Sequence, residues 1–388
     1  MTAEQHWPSL TAAALAGVVV GFASTILIIM QAADAVGATD AQKISWAATL
    51  CFAMGGLTLL LSWHHKMPLL IAWSTPGAAL MAHGAAGISY AQALGCFAVT
   101  GALMVATGLF KPLATAIGKM PSALAAAMLA GVLVIYVLKV PVAATALPAQ
   151  VLPLILTFFL MRLWRPLYAV PVIVIIGLAL AFIFGDLNLG PQPIGWAHLT
   201  FDVPEFAPLA LISLALPLYL VTMASQNLPG FAVLKASGFA PPVSSALVTT
   251  GVASILMSPF AGPQVNMAAI TASLATGPDA HPDPAQRWKV AIPYMIIYVG
   301  VGLAAGLCVN VLGGLAPDLV HAIAGLALFG PLLGAMVAMM KEPKDIDAAV
   351  VTFLVTAADF KMVGVGSAFW GLLSGLALWN LKKLKVHT

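Results

Sequence analysis

The chain has 388 residues, of which 61% are hydrophobic and 7% are charged, and its mean hydropathy is +1.02. Soluble domains carry about 25% charged residues, so this composition excludes an ordinary soluble protein. The net charge of +3 gives no indication of a nucleic-acid partner. Cys51, Cys96 and Cys308 lack the spacing of a metal site or a disulfide framework, and no catalytic motif stands out. We expect no enzyme, no cofactor and no bound metal.

Charged residues divide the chain into apolar blocks, most of which fit one helix of roughly 20 residues. The pattern therefore predicts an all-α polytopic membrane protein, surrounded by lipid, with about 14 spans. The spans are predicted at residues 10–32, 42–63, 68–82, 91–110, 121–138, 147–161, 166–185, 206–225, 240–257, 264–276, 288–310, 318–339, 346–359 and 364–381.

Loop charges give the orientation, because cytoplasmic loops collect Lys and Arg. With the N-terminus inside, the outer loops hold only Lys43, Lys139 and Lys361. The inner loops and the C-terminal tail would then hold Lys66, Lys111, Lys119, Arg162, Arg165, Lys235, Arg287, Lys289, Lys341, Lys344, Lys382, Lys383 and Lys385. We predict that both termini are cytoplasmic.

Similar features recur in the same order on either side of residue 195. The stretch from Gly101 to Gly131 and the stretch from Gly300 to Gly330 both have a Gly-rich helix, a Gly/Pro connector and an Ala/Leu-rich helix. The chain is predicted to consist of two seven-span repeats, 1–195 and 196–388. Since seven is odd, the repeats would lie inverted in the membrane, a known transporter architecture.

One span in each predicted repeat is interrupted, in "IAWSTPGAAL" (71–80) and in "FAGPQVNMAAIT" (260–271). A broken helix exposes unpaired backbone N–H groups and a positive dipole end, which lipid cannot satisfy. Two such N-termini meeting near the midplane could bind an anion. The first N-terminal turn would carry Ser74, Thr75, Pro76 and Gly77, and the second Pro263, Gln264, Val265 and Asn266. Alternatively, Pro and Gly only kink packed helices.

A third polar cluster, "TMASQNLPG" (222–230), is placed by this pattern at the end of the eighth span. Its Gln226 and Asn227 correspond roughly to Gln31 in the first half. These side chains could line the cavity between the broken helices, or they could cap helix ends at the membrane surface.

The stretches "AWSTPGAAL", "QNLPGFAVLKASGF", "SPFAGPQVNMAAITA" and "VTFLVTAADFKMVGVGSAFWGLLSG" resemble the benzoate:proton symporter (BenE-type) family of bacterial inner-membrane transporters. The resemblance runs over nearly the whole chain and relates it to the uracil and xanthine transporter fold. It implies a core domain from spans 1–4 and 8–11, a gate domain from spans 5–7 and 12–14, and a homodimer through the gate. It also implies a short strand before each half-helix, with substrate between the breaks and the first and eighth spans.

Individual polar, aromatic and titratable residues indicate the substrate and the coupling ion. Nucleobase carriers place glutamates on the eighth and tenth spans, whereas this chain has Gln226, Gln264 and Asn266, which suit a carboxylate better. Candidate aromatic walls for such a ligand are Trp73, Phe22 and Phe260, although each could be a packing residue. Candidate proton carriers are Asp34, His83 and Asp359, all at span ends; coupling without a dedicated carboxylate stays open.

The sequence thus predicts a secondary transporter that imports benzoate or a similar aromatic carboxylate with protons. A nucleobase or other organic-anion carrier on the same fold is the alternative within the transporter class. A channel and a membrane-embedded enzyme are alternatives from other classes, and the absence of a catalytic cluster argues against the enzyme.

Overall fold

The structure, a computed structural model, describes residues 6–23, 25–85, 87–110, 121–188, 195–268, 271–362 and 365–386. The first half of these residues forms α1 (Trp7–Ala23), α2 (Ile26–Ala35), α3 (Asp40–His65), β1 (Ile71–Trp73), α4 (Thr75–Gly84), α5 (Tyr90–Leu109), α6 (Ser122–Ala146), α7 (Pro148–Trp164) and α8 (Ala169–Phe184). The second half forms α9 (Pro208–Ala236), α10 (Val243–Met257), β2 (Val265–Met267), α11 (Ala272–Thr276), α12 (Ala291–Leu303), α13 (Ala305–Gly313), α14 (Pro317–Met339), α15 (Ile346–Ala357), β3 (Lys361–Met362), β4 (Val365–Gly366) and α16 (Ser367–Val386).

Each predicted span contains a helix, although the helices of the two interrupted spans begin only at Thr75 and Ala272. Within the described residues, 7 helices are long and apolar enough to cross a membrane, or 8 if the pair Pro284–Leu303 and Ala305–Gly313, bent by 58°, is one span. The shorter apolar helices include α7 and α8. The chain is therefore an all-α membrane protein, as its composition predicts.

Helix α9 differs from the prediction because it continues well past residue 225. It contains two π-helical turns, Leu211–Ala215 and Met223–Asn227, and it ends at Ala236. In the second turn Leu228 donates its backbone N–H to Met223, five residues earlier, directly before Pro229. A π-turn absorbs the helix defect that a proline imposes and is often found at functional sites. The polar cluster at 222–230 thus lies inside a continuous helix rather than at its end.

Strands β1 and β2 form a two-stranded antiparallel sheet that joins the two halves of the chain. Trp73 lies opposite Val265, Ala72 opposite Asn266, and Ile71 opposite Met267. The sheet extends by one further hydrogen bond of 2.9 Å, from the backbone nitrogen of Ala268 to the carbonyl oxygen of Leu70. The two breaks that the sequence indicates therefore meet. At the first break β1 precedes the helix α4, and at the second break the backbone itself forms β2.

Side chains from the surrounding helices satisfy backbone groups of this buried sheet. The hydroxyl of Thr58 accepts from the nitrogen of Ile71 at 2.9 Å, and that of Ser254 accepts from Val265 at 3.1 Å. The phenol of Tyr294 donates to the carbonyl oxygen of Ile71 at 3.1 Å. Unsatisfied backbone groups are costly inside a bilayer, so these bonds explain how two short strands persist there.

The remaining helices pack in pairs around this sheet. The most extensive packing joins α6 with α14, α5 with α10, α3 with α12, and α15 with α16. Helices α5 and α10 approach closely at two glycines: a Cβ on Gly101 would lie 2.7 Å from the carbonyl oxygen of Gly251, and the converse distance is 2.6 Å. Small residues at such crossings allow the dispersion contacts that hold membrane helices together.

Candidate substrate site

The first half-helix begins as the sequence predicts. Ser74 has extended backbone angles (φ −87°, ψ 92°) and caps α4, its hydroxyl accepting from the backbone nitrogen of Gly77 at 3.1 Å. Thr75 opens the helix, and Pro76 fills a position that needs no N–H donor. Ser74 is only 3% exposed. The N-terminus of a 10-residue helix, with its partial positive charge, therefore lies buried at the break.

The second break differs from its predicted form. Gln264 precedes β2, Val265 and Asn266 lie within β2, and α11 begins only at Ala272. Pro263 and Gln264 thus do not form the first turn of a helix, because β2 takes up this stretch to pair with β1. The side chains of this stretch reach the site from extended backbone.

A line of hydrogen bonds connects Gln264 to the cap of α4. The Nε2 atom of Gln264 donates to the hydroxyl of Thr222 at 3.3 Å, and Thr222 donates to the hydroxyl of Ser74 at 3.1 Å. Gly77 packs against this line, since a Cβ there would lie 2.8 Å from Gln264 Nε2 and 2.8 Å from Leu218 Cδ1. The structure therefore brings Ser74, Gly77 and Gln264 together, and adds Thr222 from α9.

Asn227 and Asn266 are engaged by backbone rather than by each other. Asn227 accepts from the backbone nitrogen of Met267 at 3.0 Å and is fully buried. With its amide oriented to satisfy both groups, Asn266 donates to the carbonyl oxygen of Met267 at 2.9 Å and accepts from the backbone nitrogen of Ser74 at 3.1 Å. Both amides hold the strand pair in place.

The first span reaches the site through Thr25, directly before α2. The hydroxyl oxygens of Thr25 and Thr75 lie 2.9 Å apart. Gln226, in the second π-turn of α9, is 8% exposed. Its predicted counterpart Gln31 lies in α2 and lines a cavity of about 260 Å³ together with Asp34 and His321.

Two of the three aromatic candidates come together. The rings of Phe22 and Trp73 have centroids 5.6 Å apart and an interplanar angle of 32°, so they form one apolar wall beside Ser74. Phe260 lies elsewhere. Its ring packs against Phe201 at 5.5 Å and is 36% exposed, while its carbonyl oxygen accepts from Ser45 and Thr49.

The carboxylate candidates for proton transfer lie at the surface. Asp34 forms an ion pair of 2.6 Å with Lys43 and its side chain is 58% exposed. Asp359 is exposed and lines a cavity of about 230 Å³ with Gly84 and Ser213. His83 lies on α4, and its side chain falls outside the described part of the chain. Neither aspartate has the burial expected of a proton relay within a membrane.

Sequence reasoning missed several residues that support the site. Thr58, Ser254 and Tyr294 are single polar side chains in apolar helices, and a sequence gives no sign of which backbone they contact. Thr222 belongs to the polar cluster at 222–230, but the sequence does not indicate its contacts with Ser74 and Gln264. Arg287 is also buried, at 7% exposure. The sequence predicts only an inner-loop charge there, and because α11 already ends at Thr276, no local capping pattern reveals this contact.

The family of this protein follows from its similarity to known proteins. The protein is a polytopic membrane protein in which two interrupted segments meet. Residues 4–381 match the family model for the benzoate membrane transport protein, BenE. The chain therefore belongs to the BenE family, and the resemblance seen in its sequence is confirmed.

Two curated relatives cover almost the whole chain. The inner membrane protein YdcO of Escherichia coli (strain K12) is 41% identical over 371 residues, which is 95% of this chain and 94% of the relative. The benzoate membrane transport protein of Acinetobacter baylyi (strain ATCC 33305 / BD413 / ADP1) is 33% identical over 390 residues, with 99% and 98% covered. The chain is a multi-pass inner membrane protein.

Solved structures of low sequence identity share the fold. The transmembrane domain of the cyanobacterial bicarbonate transporter BicA has a TM-score of 0.59 at 15% identity, over 96% of this chain and 98% of that chain. SLC26A9 has a TM-score of 0.61 at 13% identity, over 98% of this chain and 66% of that chain. At these identities the likeness shows the fold alone. The family match, in contrast, identifies a transporter family, which implies that the protein is not an enzyme.

Proposed function

We propose that this protein imports benzoate or a similar aromatic carboxylate, together with protons, across the bacterial inner membrane. The observation that carries the proposal is the pairing of β1 with β2. It brings the capped N-terminus of α4 together with the Thr222 hydroxyl and the Gln264 amide, next to the ring pair of Phe22 and Trp73.

The chemistry of these groups suits the two ends of an aromatic acid. The N-terminus of α4 and the hydroxyls around it offer donors and a partial positive charge to carboxyl oxygens, with no need for a buried Lys or Arg. The rings of Phe22 and Trp73 offer an apolar wall to a flat ring. Ser74, Gln264 and Trp73 are each at most 3% exposed, so substrate entry requires neighbouring elements to move apart.

We further propose 14 spans in two inverted repeats, 1–195 and 196–388. The packing supports this arrangement: α5 packs with α10 and α3 with α12, which pairs the fourth span with the ninth and the second with the eleventh. In the proposed repeat each span corresponds to the one seven positions later, so each of these two pairs corresponds to the other. The fifth span, α6, and its counterpart, the twelfth span, α14, also pack together. Spans 1–4 and 8–11 would form the core, and spans 5–7 and 12–14 the gate and a homodimer contact.

The name of the A. baylyi relative supports benzoate as the substrate. A nucleobase or other organic-anion carrier is the second candidate, since the uracil and xanthine transporters have a related architecture. The contacts described for Ser74 come from hydroxyl, amide and backbone groups rather than from carboxylates, which favours the carboxylic acid. A channel is the third candidate.

Purified protein in proteoliposomes tests the proposal. Labelled benzoate should accumulate when an inward proton gradient is imposed, and an uncoupler should abolish the accumulation. Preloaded unlabelled benzoate should drive counterflow, which a channel does not support. Uracil serves as the matched control substrate and protein-free liposomes as the blank. Uracil accumulation without benzoate accumulation would reject the proposal in favour of the nucleobase carrier.

A further inference from the structure

One buried atom beside the half-helix of α4 has no hydrogen-bond partner in the part of the chain that the structure describes. Gln264 is 2% exposed, and its Nε2 atom is occupied by the Thr222 hydroxyl at 3.3 Å. Its carbonyl atom Oε1 is buried and, among the described residues, has no hydrogen-bond donor. Burying an amide oxygen without a donor is energetically unfavourable. The site therefore presents an acceptor that a ligand can satisfy.

The direction of the neighbouring hydrogen bonds places a donor in the same site. Ser74 accepts one hydrogen bond from Thr222 at 3.1 Å and one from the backbone nitrogen of Gly77 at 3.1 Å. A serine hydroxyl has two acceptor positions and one proton. With both acceptor positions used, the hydroxyl proton of Ser74 meets no acceptor among the described residues and is available to a ligand. The site thus offers one donor and one acceptor.

These two groups distinguish the two forms of a carboxyl group. A carboxylate only accepts hydrogen bonds. Its negative oxygen would face the oxygen atom Oε1 of Gln264, which also only accepts, and the two would repel each other. A protonated carboxyl group accepts through its C=O and donates through its O–H, which matches the Ser74 hydroxyl and Gln264 Oε1.

Among the described residues, the carboxylates that could carry a proton are poorly placed. Asp34 and Asp359 are both exposed, and Asp34 is paired with Lys43. Among the described residues the buried carboxylate is that of Asp345, which precedes α15 and accepts from the indole nitrogen of Trp379 at 3.0 Å. It therefore lies on elements other than those that form the site.

We propose that the carrier binds its aromatic acid in the protonated form, so that the coupled proton crosses the membrane on the substrate's own carboxyl group. The substrate O–H donates to Gln264 Oε1, and its C=O accepts from the Ser74 hydroxyl. The carboxylate takes up one proton from the outer solution and returns it to the cytoplasm, so one proton moves with each acid and no net charge crosses. This inference rests on the proposed function, and it assigns the coupling ion to the site of that function.

The form of the acid that fits the site depends on the orientation of the Gln264 amide. Turned by 180°, the amide would accept from Thr222 and leave Nε2 as a second donor, which would suit the anion. Measuring the bound form of the substrate therefore decides between the two.

The test is equilibrium binding of labelled benzoate to the detergent-purified wild-type protein at several pH values above the pKa of the acid. If only the protonated form binds, the apparent Kd rises about tenfold per pH unit, because the competent fraction falls by that factor. Small meta-substituted benzoates compared at one pH should then bind about tenfold more tightly per unit of increasing substrate pKa. Benzamide, which donates N–H where the acid donates O–H, should compete with a Ki that is independent of pH.

A Kd that is independent of pH and of substrate acidity, or a lack of competition by benzamide, would overturn the inference while the proposed function stands. Absence of benzoate binding at every pH would instead count against the proposed function.

Two variants with unchanged melting temperature add a check on the acceptor. Gln264→Met removes it at similar size and should weaken benzamide binding by about tenfold or more. Gln264→Glu keeps an acceptor and should retain benzamide binding, whereas equal loss in both variants would contradict the assigned bond. Gln286→Met, in the Pro284–Val290 turn, is the control.

Discussion

The guanidinium group of Arg287 donates a hydrogen bond of 2.7 Å to the carbonyl oxygen of Thr276, the last residue of α11. It also donates to the carbonyl oxygens of His281 at 2.8 Å and Pro282 at 3.4 Å. With 5 residues, α11 forms few hydrogen bonds of its own, and its last carbonyl groups need external donors. Arg287 therefore caps the second half-helix and ties it to the loop that follows.

We expect Arg287→Gln to lower both the melting temperature and benzoate uptake, with partial recovery in Arg287→Lys. A hydrogen bond to a charged group contributes about 1.5–3 kcal/mol, and the substitution removes up to three of them. Thermal denaturation in detergent and uptake in proteoliposomes are the measurements. Arg165→Gln, at an exposed arginine, is the control and should behave as wild type. Equal melting temperatures for Arg287→Gln and the control would remove Arg287 from the support of α11.

Gly77→Ala should impair substrate binding strongly. The added Cβ would lie 2.8 Å from Gln264 Nε2, Ser74 Oγ and Leu218 Cδ1, and overpacking of this kind costs about 1–3 kcal/mol. Gly84→Ala, in the same half-helix, is the matched control because nothing lies within 4 Å of its Cβ position. We expect benzoate affinity to fall about 10-fold in the first variant. Comparable affinity in both variants would show that the first turn of α4 does not touch the ligand.

Asn227→Leu and Ser254→Ala should each destabilise the fold. They leave the backbone N–H groups of Met267 and Val265 buried without acceptors, at a cost of about 1–3 kcal/mol each. Thr250→Val is the control, since that hydroxyl bonds a carbonyl of its own helix, Ala246, at 2.7 Å. Denaturation midpoints of the three variants should separate the first two from the third; a common midpoint would mean that the strand pair needs no side-chain support.

The topology can be measured by labelling single cysteines in whole cells with a membrane-impermeant maleimide, after replacement of Cys51, Cys96 and Cys308. A cysteine at Val203 should be labelled from outside. Cysteines at Arg165 and Lys382 should be labelled only after the cells are lysed, because these positions lie on the predicted cytoplasmic side. Labelling of Lys382→Cys in intact cells would break the 14-span arrangement and, with it, the inverted repeat.

The sequence predicted the position of the first break and missed the form of the second. "WSTPG" combines a cap residue, a proline for the first turn and a glycine, and these local signals act within four residues of one another. The beginning of α11 depends instead on the pairing of β2 with β1, a contact between distant segments that no local pattern reveals. The sequence pattern therefore singles out Gln264 and Asn266 at the break but assigns them to the wrong secondary structure.

The structure of the polar cluster of α9, residues 222–230, also could not be predicted from local sequence patterns. A proline and a glycine after Asn227 are typical of a helix end, but the π-turn at Met223–Asn227 absorbs the proline and the helix continues. Phe260 is close to the break in sequence but not in space. The tight turn at Ala261 (φ +64°) separates Phe260 from β2, and its ring packs against Phe201 instead.

The pairing of β1 with β2 also has a consequence for biogenesis. When the first half of the chain has entered the membrane, the partners of β1 in β2 and Tyr294 have not yet been synthesised. Lipid cannot take the place of these partners, so α4 cannot reach its final position until the second half arrives. Each half is thus an incomplete folding unit. Expressed alone, either half should be degraded, whereas the two halves made together as separate chains can assemble.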